Sequence, residues 1–126
     1  MEEIVYKLTT LSGESYMLGN FPIENAFSLK YELKKTTKMV KDTVGIMCFN
    51  NKRNAIKFAK NIGFPYRLLK AKGIRTKIQA KRISGFLGNP NIRCFYNNEH
   101  SRYLLGSPPP YGTIFCREII PMEIVK

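Results

Sequence analysis

The chain has 126 residues, with 21 Lys and Arg against nine Asp and Glu, a formal net charge of +12. Hydrophobic residues make up 44% and aromatic residues 12%, which is ordinary for a globular domain and excludes a disordered chain. No apolar run approaches the roughly 20 residues that span a bilayer, and the acidic start Met1-Glu2-Glu3 does not resemble a secretory leader. We therefore expect a soluble, cytoplasmic protein with no membrane partner.

The positive charge is concentrated in the middle of the chain. Residues 1–28 have a net charge of −3, residues 29–82 of +14 and residues 83–126 of +1. A concentrated field of one sign raises the local concentration of ions of the opposite sign. This distribution matches anions such as nucleic acid, nucleotides or acidic lipids; since no membrane partner is expected, it predicts nucleic acid or a nucleotide.

The three cysteines, Cys48, Cys94 and Cys116, have no spacing typical of a zinc site. The single histidine, His100, has no cysteine at ligand distance in the sequence. We predict three buried or half-buried thiols in a reducing compartment, and no metal and no cofactor.

The first strands are indicated by β-branched and aromatic residues. Residues 4–9 predict a strand, with a turn at residues 11–13 and a returning hairpin strand at residues 15–18. Residues 29–41 are ambiguous, but alternation of apolar and charged side chains at Leu29, Tyr31 and Leu33 favours an edge strand followed by a Lys-rich loop.

A short buried strand is predicted at residues 45–49, followed by the best-defined helix. Asn50 or Asn51 is the expected N-cap, Gly63 occupies the position of a C-terminal glycine, and Pro65 prevents continuation. The spacing i, i+3, i+4, i+7 predicts one buried face and an opposite basic face. The buried face comprises Ala55, Phe58, Ala59 and Ile62, and the basic face Arg53, Lys57 and Lys60.

The second half of the chain again predicts mainly β-structure. Residues 66–71 and 74–83 predict two strands around Lys72-Gly73, although a helix over residues 77–87 fits the pattern too. A short strand is possible at residues 92–96, and the last β-structure covers residues 112–116 and 118–125, with an edge or bulge at Pro121. Residues 1–126 thus predict a single α+β domain, mostly antiparallel sheet with one or two helices.

Catalytic groups are scarce. His100 lies in a polar segment that indicates a surface loop, no carboxylate pair is indicated, and no glycine-rich phosphate-binding motif is present. We therefore predict a binding protein rather than an enzyme. A small nucleotide transferase that uses His100 or Glu99 remains the enzymatic alternative.

Binding is favoured by basic side chains on ordered elements and by interleaved aromatic rings. Besides the helix, a predicted strand face carries Arg75, Lys77 and Lys81. Arg and Lys bind phosphate, and bases stack on aromatic rings. A small nucleotide would need a pocket, whereas a long RNA or DNA would follow a basic groove, so both ligand sizes remain open.

Three segments of the chain resemble a family of small phage proteins. They are the strand Ile4-Val5-Tyr6-Lys7-Leu8-Thr9, the strand Met47-Cys48-Phe49-Asn50 leading into the helical segment Ala55-Ile56-Lys57-Phe58-Ala59, and Pro110-Tyr111-Gly112-Thr113 before the last strand. With the Lys-, Asn- and Ile-rich composition, this layout resembles the anti-Thoeris sponge proteins. The resemblance implies a homo-oligomer, a dimer or larger, in the bacterial host cytoplasm. It would sequester a cyclic ADP-ribose isomer, and in some members cyclic oligonucleotides, without cleaving them.

Candidate ligand-binding residues are chosen by position, since the resemblance supplies no matched site motif. Thr113 and Arg117 flank the last strand near a rigid proline turn, and a polar loop precedes that strand. Phe21 and Arg53 could complete a pocket at the end of an element. The candidates are Phe21, Arg53, Asn91, Arg93, Phe95, Thr113 and Arg117.

Overall fold

The computed structural model describes residues 1–13, 29–39, 45–63, 65–77, 79 and 111–126. This part of the chain contains five strands and one helix, an antiparallel α+β domain that confirms the predicted fold class. In chain order they are β1 (Glu2–Thr9), β2 (Thr37–Lys38), β3 (Ile46–Phe49), α1 (Lys52–Ile62), β4 (Arg67–Arg75) and β5 (Thr113–Ile124).

Four of the strands close the sheet on itself. β1 pairs with β3 and with β4, and β5 pairs with both β3 and β4. β5 can do this because it is 12 residues long: residues 113–116 lie against β3, and residues 116–124 lie against β4. The short β2 pairs with Glu118 and Ile119 of β5. Closure leaves each of the four strands paired on both sides, which removes exposed edges.

Alternation along the strands produces two apolar clusters. One lies on the inner face of the closed sheet, and the other lies between the outer face and α1. The interior cluster comprises Val5, Tyr31, Ile46, Cys48, Leu69, Ala71, Ile114, Cys116 and Ile119. The cluster under the helix comprises Leu8, Phe49, Ala55, Ala59 and Leu68.

The predicted helix is confirmed, together with both of its ends. The Asn51 side chain accepts a hydrogen bond from Asn54 N at 2.9 Å, so Asn51 is the N-cap. Gly63 adopts a left-handed conformation at φ 85° and donates its N–H to Ala59 O. Ala55 and Ala59 are buried, while Phe58 and Ile62 are half-buried against the same cluster.

The prediction of two strands around Lys72-Gly73 is wrong, because β4 runs through this position without a turn. Gly73 is buried, and a Cβ there would lie 3.0 Å from the Cys116 Sγ atom. The glycine therefore provides room for a neighbouring side chain rather than for a bend. β4 ends at Arg75, so the predicted strand over residues 74–83 does not continue through Thr76 and Lys77. Apart from Lys77 and Gln79, the alternative helix over residues 77–87 lies outside the described residues.

The predicted edge strand at residues 29–33 is also wrong. A turn follows Tyr31, with Lys35 N donating to Glu32 O and Lys34 at φ 65°. Tyr31 is buried and Leu33 is 44% exposed, so their alternation does not reflect a shared strand face. The paired strand, β2, lies instead within the segment predicted as a Lys-rich loop.

The last strand is one continuous element rather than two. Its register against β4 shifts between Lys70 and Ala71, which pair with Glu123 and Pro121. Of the edge or bulge predicted at Pro121, the structure therefore has the bulge; proline cannot donate to the ladder. The predicted strands at residues 15–18 and 92–96 lie outside the described residues.

Candidate functional site

The exposed side of α1 is basic along its whole length. Arg53, Lys57 and Lys60 form this cationic helix face, and Lys52 adds a further charge at the amino end; all four are exposed. Among the described residues the ion pairs are Lys35–Glu32 and Arg75–Glu3, so no described carboxylate neutralises the helix. The predicted basic face is confirmed as an exposed cationic surface.

The charges at the amino end of the helix oppose the helix dipole. Lys52 and Arg53 occupy the first turn, which contains no acidic residue. Cations near the positive end of a helix destabilise it by about 0.3–1 kcal/mol each. A bound anion would offset this cost. In most helices Asp or Glu in the first turn does so instead.

The start of β5 lies against the same end of the helix. Asn50 N donates to Gly112 O at 2.8 Å, and Asn54 Nδ2 donates to Asn50 Oδ1 at 3.2 Å. Gly112, at φ 83°, packs on these two asparagines; a Cβ at this position would lie 2.8 Å from Asn50 Oδ1. The preceding Tyr111 is 88% exposed. An exposed aromatic residue therefore comes directly before the glycine that packs on the amide groups at the amino end of α1.

The structure brings two of the predicted ligand-binding residues to this end of the molecule. Arg53 is in the first helical turn, and Thr113 opens β5 opposite Phe49, the last residue of β3. Arg117 lies four residues further along β5, about 13 Å from Thr113 at the usual rise of a strand. It is exposed, and its carbonyl accepts from Met39 N at 2.8 Å. The other four candidates, Phe21, Asn91, Arg93 and Phe95, lie outside the described residues.

The predicted basic strand face is only partly available to a ligand. Arg75 Nε donates to Glu3 Oε2 at 2.6 Å, and its Nη2 donates to Glu3 Oε1 at 3.0 Å. This bidentate ion pair joins β4 to β1, and its hydrogen bonds to Glu3 raise the pKa of Arg75. Lys77 is exposed just beyond the strand, and Lys81 lies outside the described residues.

A buried cation in the interior was not identified from the sequence. Lys7 is 6% exposed, donates from Nζ to Met47 O at 2.9 Å and lies 5.3 Å from the centre of the Tyr31 ring. Burial lowers the pKa of Lys7. Its position in the strand could have indicated this burial. Val5, Lys7 and Thr9 alternate with residues on the outer face, so Lys7 points inward.

The Lys7 amine lies near two buried thiols. Cys48 on β3 and Cys116 on β5 are both fully buried, free cysteines in the interior cluster. Burial raises the pKa of Cys48, while the neighbouring Cys48 thiol lowers the pKa of Cys116. The prediction of buried thiols is confirmed for these two; Cys94 lies outside the described residues.

The described part of the chain contains neither a metal-binding cluster nor a membrane-spanning helix. No three His, Cys, Asp or Glu side chains there come together as a set of metal ligands. No helix there combines the length and the apolar character needed to cross a membrane.

Comparisons of the chain with known protein families, with characterised proteins and with solved structures gave no match. The features of this chain that bear on its function are the cationic helix face, the amino end of α1 and the interior cluster.

Proposed function

We propose that this protein binds and sequesters a cyclic ADP-ribose isomer, with cyclic oligonucleotides as further ligands, and so suppresses TIR-based defence against phage. The observation that carries the binding proposal is the cationic helix face, Arg53, Lys57 and Lys60, which no described carboxylate neutralises. Its cations match the phosphates of such a ligand in charge, and Arg53 can bind a phosphate through two parallel hydrogen bonds.

Tyr111 and the neighbouring amides supply the remaining interactions that a nucleotide needs. The exposed Tyr111 ring offers a stacking surface for a base, an interaction worth about 1–3 kcal/mol. Asn50 and Asn54 lie beside Gly112, next in the chain to that ring, and amide side chains both donate and accept hydrogen bonds. Phosphate on the helix and the base on Tyr111 would fix the ligand at two points.

Sequestration without cleavage is consistent with the residue types on this surface. The described side chains at the amino end of α1 are Lys, Arg, Asn, Thr and Tyr, which bind phosphates, sugars and bases. Cleavage of a glycosidic or phosphodiester bond needs an activated nucleophile or an acid–base pair. The choice of cyclic ADP-ribose among nucleotides, and of a homo-oligomer that shares its sites, rests on the resemblance to anti-Thoeris sponges.

Isothermal titration with cyclic ADP-ribose isomers, followed by recovery of the ligand from heat-denatured protein, tests the proposal. We expect binding of at least one isomer and recovery of that isomer intact. Native mass spectrometry of the same sample should show a dimer or larger assembly with ligand bound. Absence of binding to every isomer, or recovery of a hydrolysed product, would reject sequestration.

Substitutions test whether the ligand uses the helix. The triple variant Arg53→Gln, Lys57→Gln, Lys60→Gln should weaken binding by about tenfold or more for each ligand phosphate that these side chains bind. The matched control is Lys38→Gln, Lys72→Gln, Lys126→Gln, which removes the same charge from exposed positions outside α1. Equal reductions of affinity in the two variants would show that net charge, and not the helix, attracts the ligand.

General binding of RNA or DNA is the second candidate function. It is favoured by exposed cations beyond the helix, among them Lys38 on β2, Lys72 on β4 and Arg117 on β5. Such binding should weaken steeply with salt, with a log–log slope of about −0.7 for each neutralised phosphate on a single strand. In about 0.5 M salt, attraction between exposed charges is screened beyond a few ångströms. Affinity for a small nucleotide that persists at this salt concentration would favour sequestration of a cyclic nucleotide over general nucleic-acid binding.

A further inference from the structure

The two interior thiols lie on neighbouring strands of the closed sheet. In the β3–β5 register Cys48 pairs with Ile114 and Cys116 pairs with Ile46, so the two cysteines are diagonal neighbours on the inner face. Both are 0% exposed and belong to the interior cluster. Two buried thiols on adjacent strands and on the same face of the sheet can act together as a dithiol.

We propose that Cys48 and Cys116 form a peroxide-reactive dithiol that closes reversibly into a disulfide inside the sheet. Cys116 is the attacking sulfur and Cys48 the resolving one. This modification site is separate from the cationic helix face, and it does not depend on the ligand proposed for that face.

The surroundings of the two sulfurs set these roles. The neighbouring Cys48 thiol lowers the pKa of Cys116, which favours the thiolate form there. Burial and the Glu3 carboxylate act against this, Arg75 and Lys7 act with it, and the pKa of Cys116 is lowered on balance. Cys48 is kept protonated by burial. The thiolate is the nucleophilic form of cysteine, so Cys116 reacts first.

The burial of Lys7 is explained by the same arrangement. In the described chain Lys7 makes no ion pair with a carboxylate; it contacts Met47 O and the Tyr31 ring and lies near both thiols. A buried amine without a carboxylate is costly for stability. A role in stabilising the Cys116 thiolate gives this costly group a function.

The reaction is balanced with hydrogen peroxide as the oxidant. The Cys116 thiolate attacks one peroxide oxygen, the O–O bond breaks, and Cys116 becomes a sulfenic acid as hydroxide leaves. The Cys48 sulfur then attacks the Cys116 sulfur, the S–S bond forms, and the sulfenic oxygen leaves as water with the proton from Cys48. Each disulfide consumes one peroxide, and a dithiol reductant restores both thiols.

The disulfide requires a small movement of β3. Diagonal neighbours in a sheet have Cα atoms about 7–8 Å apart, whereas a disulfide rarely spans more than about 6.8 Å. β3 pairs with β1 at one position, Tyr6 opposite Phe49, while β4 pairs with β1 from Glu2 to Thr9. Opening along this short β1–β3 pairing would admit a peroxide and let β3 slide along β5 by about 1 Å, which shortens the distance between the two diagonal cysteines.

The test uses the full-length protein with Cys94→Ser, so that the two interior thiols are the remaining cysteines. After treatment with hydrogen peroxide, intact mass spectrometry should show the loss of two hydrogen atoms from the monomer, reversed by dithiothreitol. Adding Cys48→Ala should stop the reaction at a Cys116 sulfenic acid that dimedone traps. Cys116→Ala in place of Cys48→Ala should leave little dimedone adduct. Circular dichroism confirms that each variant is folded.

Lys7→Met tests the assigned role of the amine, since it removes the charge and keeps the length of the side chain. Disulfide formation should slow severalfold, because loss of the positive charge raises the pKa of Cys116 and lowers its thiolate fraction. Cross-links between molecules, or sulfur oxides without loss of hydrogen in the Cys94→Ser protein, would overturn the proposal. Equal dimedone labelling of the two single-cysteine variants would overturn the assignment of Cys116 as the attacking sulfur.

Discussion

The side-chain amide of Gln79 binds both backbone hydrogen-bonding groups of Phe115. Gln79 Nε2 donates to Phe115 O at 2.8 Å, and Gln79 Oε1 accepts from Phe115 N at 2.7 Å. β4 ends at Arg75, which pairs with Cys116. No residue of β4 therefore lies opposite Phe115 to hydrogen-bond with its backbone. Thr76 N also donates to Phe115 O at 2.9 Å. The amide group of Gln79 thus takes the place of a backbone peptide beside β5.

Gln79→Leu should destabilise the protein by about 2–3 kcal/mol. Phe115 is 1% exposed, so its N–H would have no partner where water cannot replace Gln79, and a buried unsatisfied donor costs about 1–3 kcal/mol. The free energy of unfolding in urea measures the change. Lys77→Leu is the matched control, because Lys77 is exposed nearby and should change stability by less than about 0.5 kcal/mol. Equal effects of the two substitutions would contradict the assigned role of Gln79.

Gly73→Ala should destabilise the protein by about 1–3 kcal/mol through overpacking of the interior. The added Cβ would lie 3.0 Å from Cys116 Sγ and 3.0 Å from Val5 Cγ2. In a strand with room for a Cβ atom, alanine would stabilise the protein by roughly 0.5–1 kcal/mol relative to glycine. The sign of the measured change in unfolding free energy therefore tests whether the new Cβ is crowded. Urea unfolding gives the free energy.

A double-mutant cycle separates this crowding from a backbone effect. In a Cys116→Ala background the cost of Gly73→Ala should fall, since the sulfur that crowds the new Cβ is gone. Gly63→Ala is the control: it has no atom within 4 Å but sits at φ 85°, so its cost of about 1–2 kcal/mol reflects the backbone alone. That cost should be the same in both backgrounds. Additive effects of Gly73→Ala and Cys116→Ala would show that the two residues do not crowd each other.

Elements whose signals are local could be predicted from the sequence. α1 carries its own N-cap, apolar spacing and terminal glycine, so its ends at Asn51 and Gly63 followed without tertiary information. β1 and β3 were likewise indicated by their own β-branched and apolar residues. The exposed cationic face of α1 followed from the same helical spacing.

The errors occurred where long-range packing decides the role of a residue. Gly73 looks like a turn residue until Cys116 is known to lie against it, and Tyr31 and Leu33 alternate without sharing a strand. Of the candidate site, Arg53 and Thr113 could be placed near each other only through the hydrogen bond of Asn50 with Gly112. The proximity of Lys7 to two thiols depends on how three strands meet, which no local pattern specifies.

Arg53→Glu should increase stability while it weakens ligand binding. A carboxylate in the first turn interacts favourably with the helix dipole, where Arg53 does not, so we expect a gain of about 0.3–1 kcal/mol in urea unfolding. Lys60→Glu should change stability in the opposite direction by a similar amount, because Lys60 is in the last turn. Both substitutions should reduce affinity for cyclic ADP-ribose isomers in isothermal titration. A decrease in stability for Arg53→Glu would show that Arg53 has a structural role, and unchanged affinity in both would separate the helix from the ligand.

Lys7→Met should stabilise the protein at neutral pH, by about 1 kcal/mol. The buried ammonium group costs several kcal/mol in hydration, and its hydrogen bond to Met47 O and its position near the Tyr31 ring offset part of that cost. Methionine fills a similar volume without a charge, although Met47 O then has one donor fewer, at about 1–3 kcal/mol. A net decrease in stability would show that the polar interactions of Lys7 outweigh the cost of burying it.

The stability gain from Lys7→Met should depend on pH in a direction fixed by the pKa of Lys7. Burial lowers this pKa from its ordinary value of 10.5, so the unfolded chain holds the Lys7 proton more tightly than the folded protein does. Wild-type stability therefore rises relative to the variant as pH increases from the folded pKa toward 10.5, where both states lose the proton. The advantage of Lys7→Met should be full below the folded pKa and should shrink through that window. Urea unfolding of both proteins between about pH 7 and pH 10 measures the difference, in which the titration of other groups cancels. A difference that stays constant over this range would mean that the folded protein and the unfolded chain bind the Lys7 proton equally well.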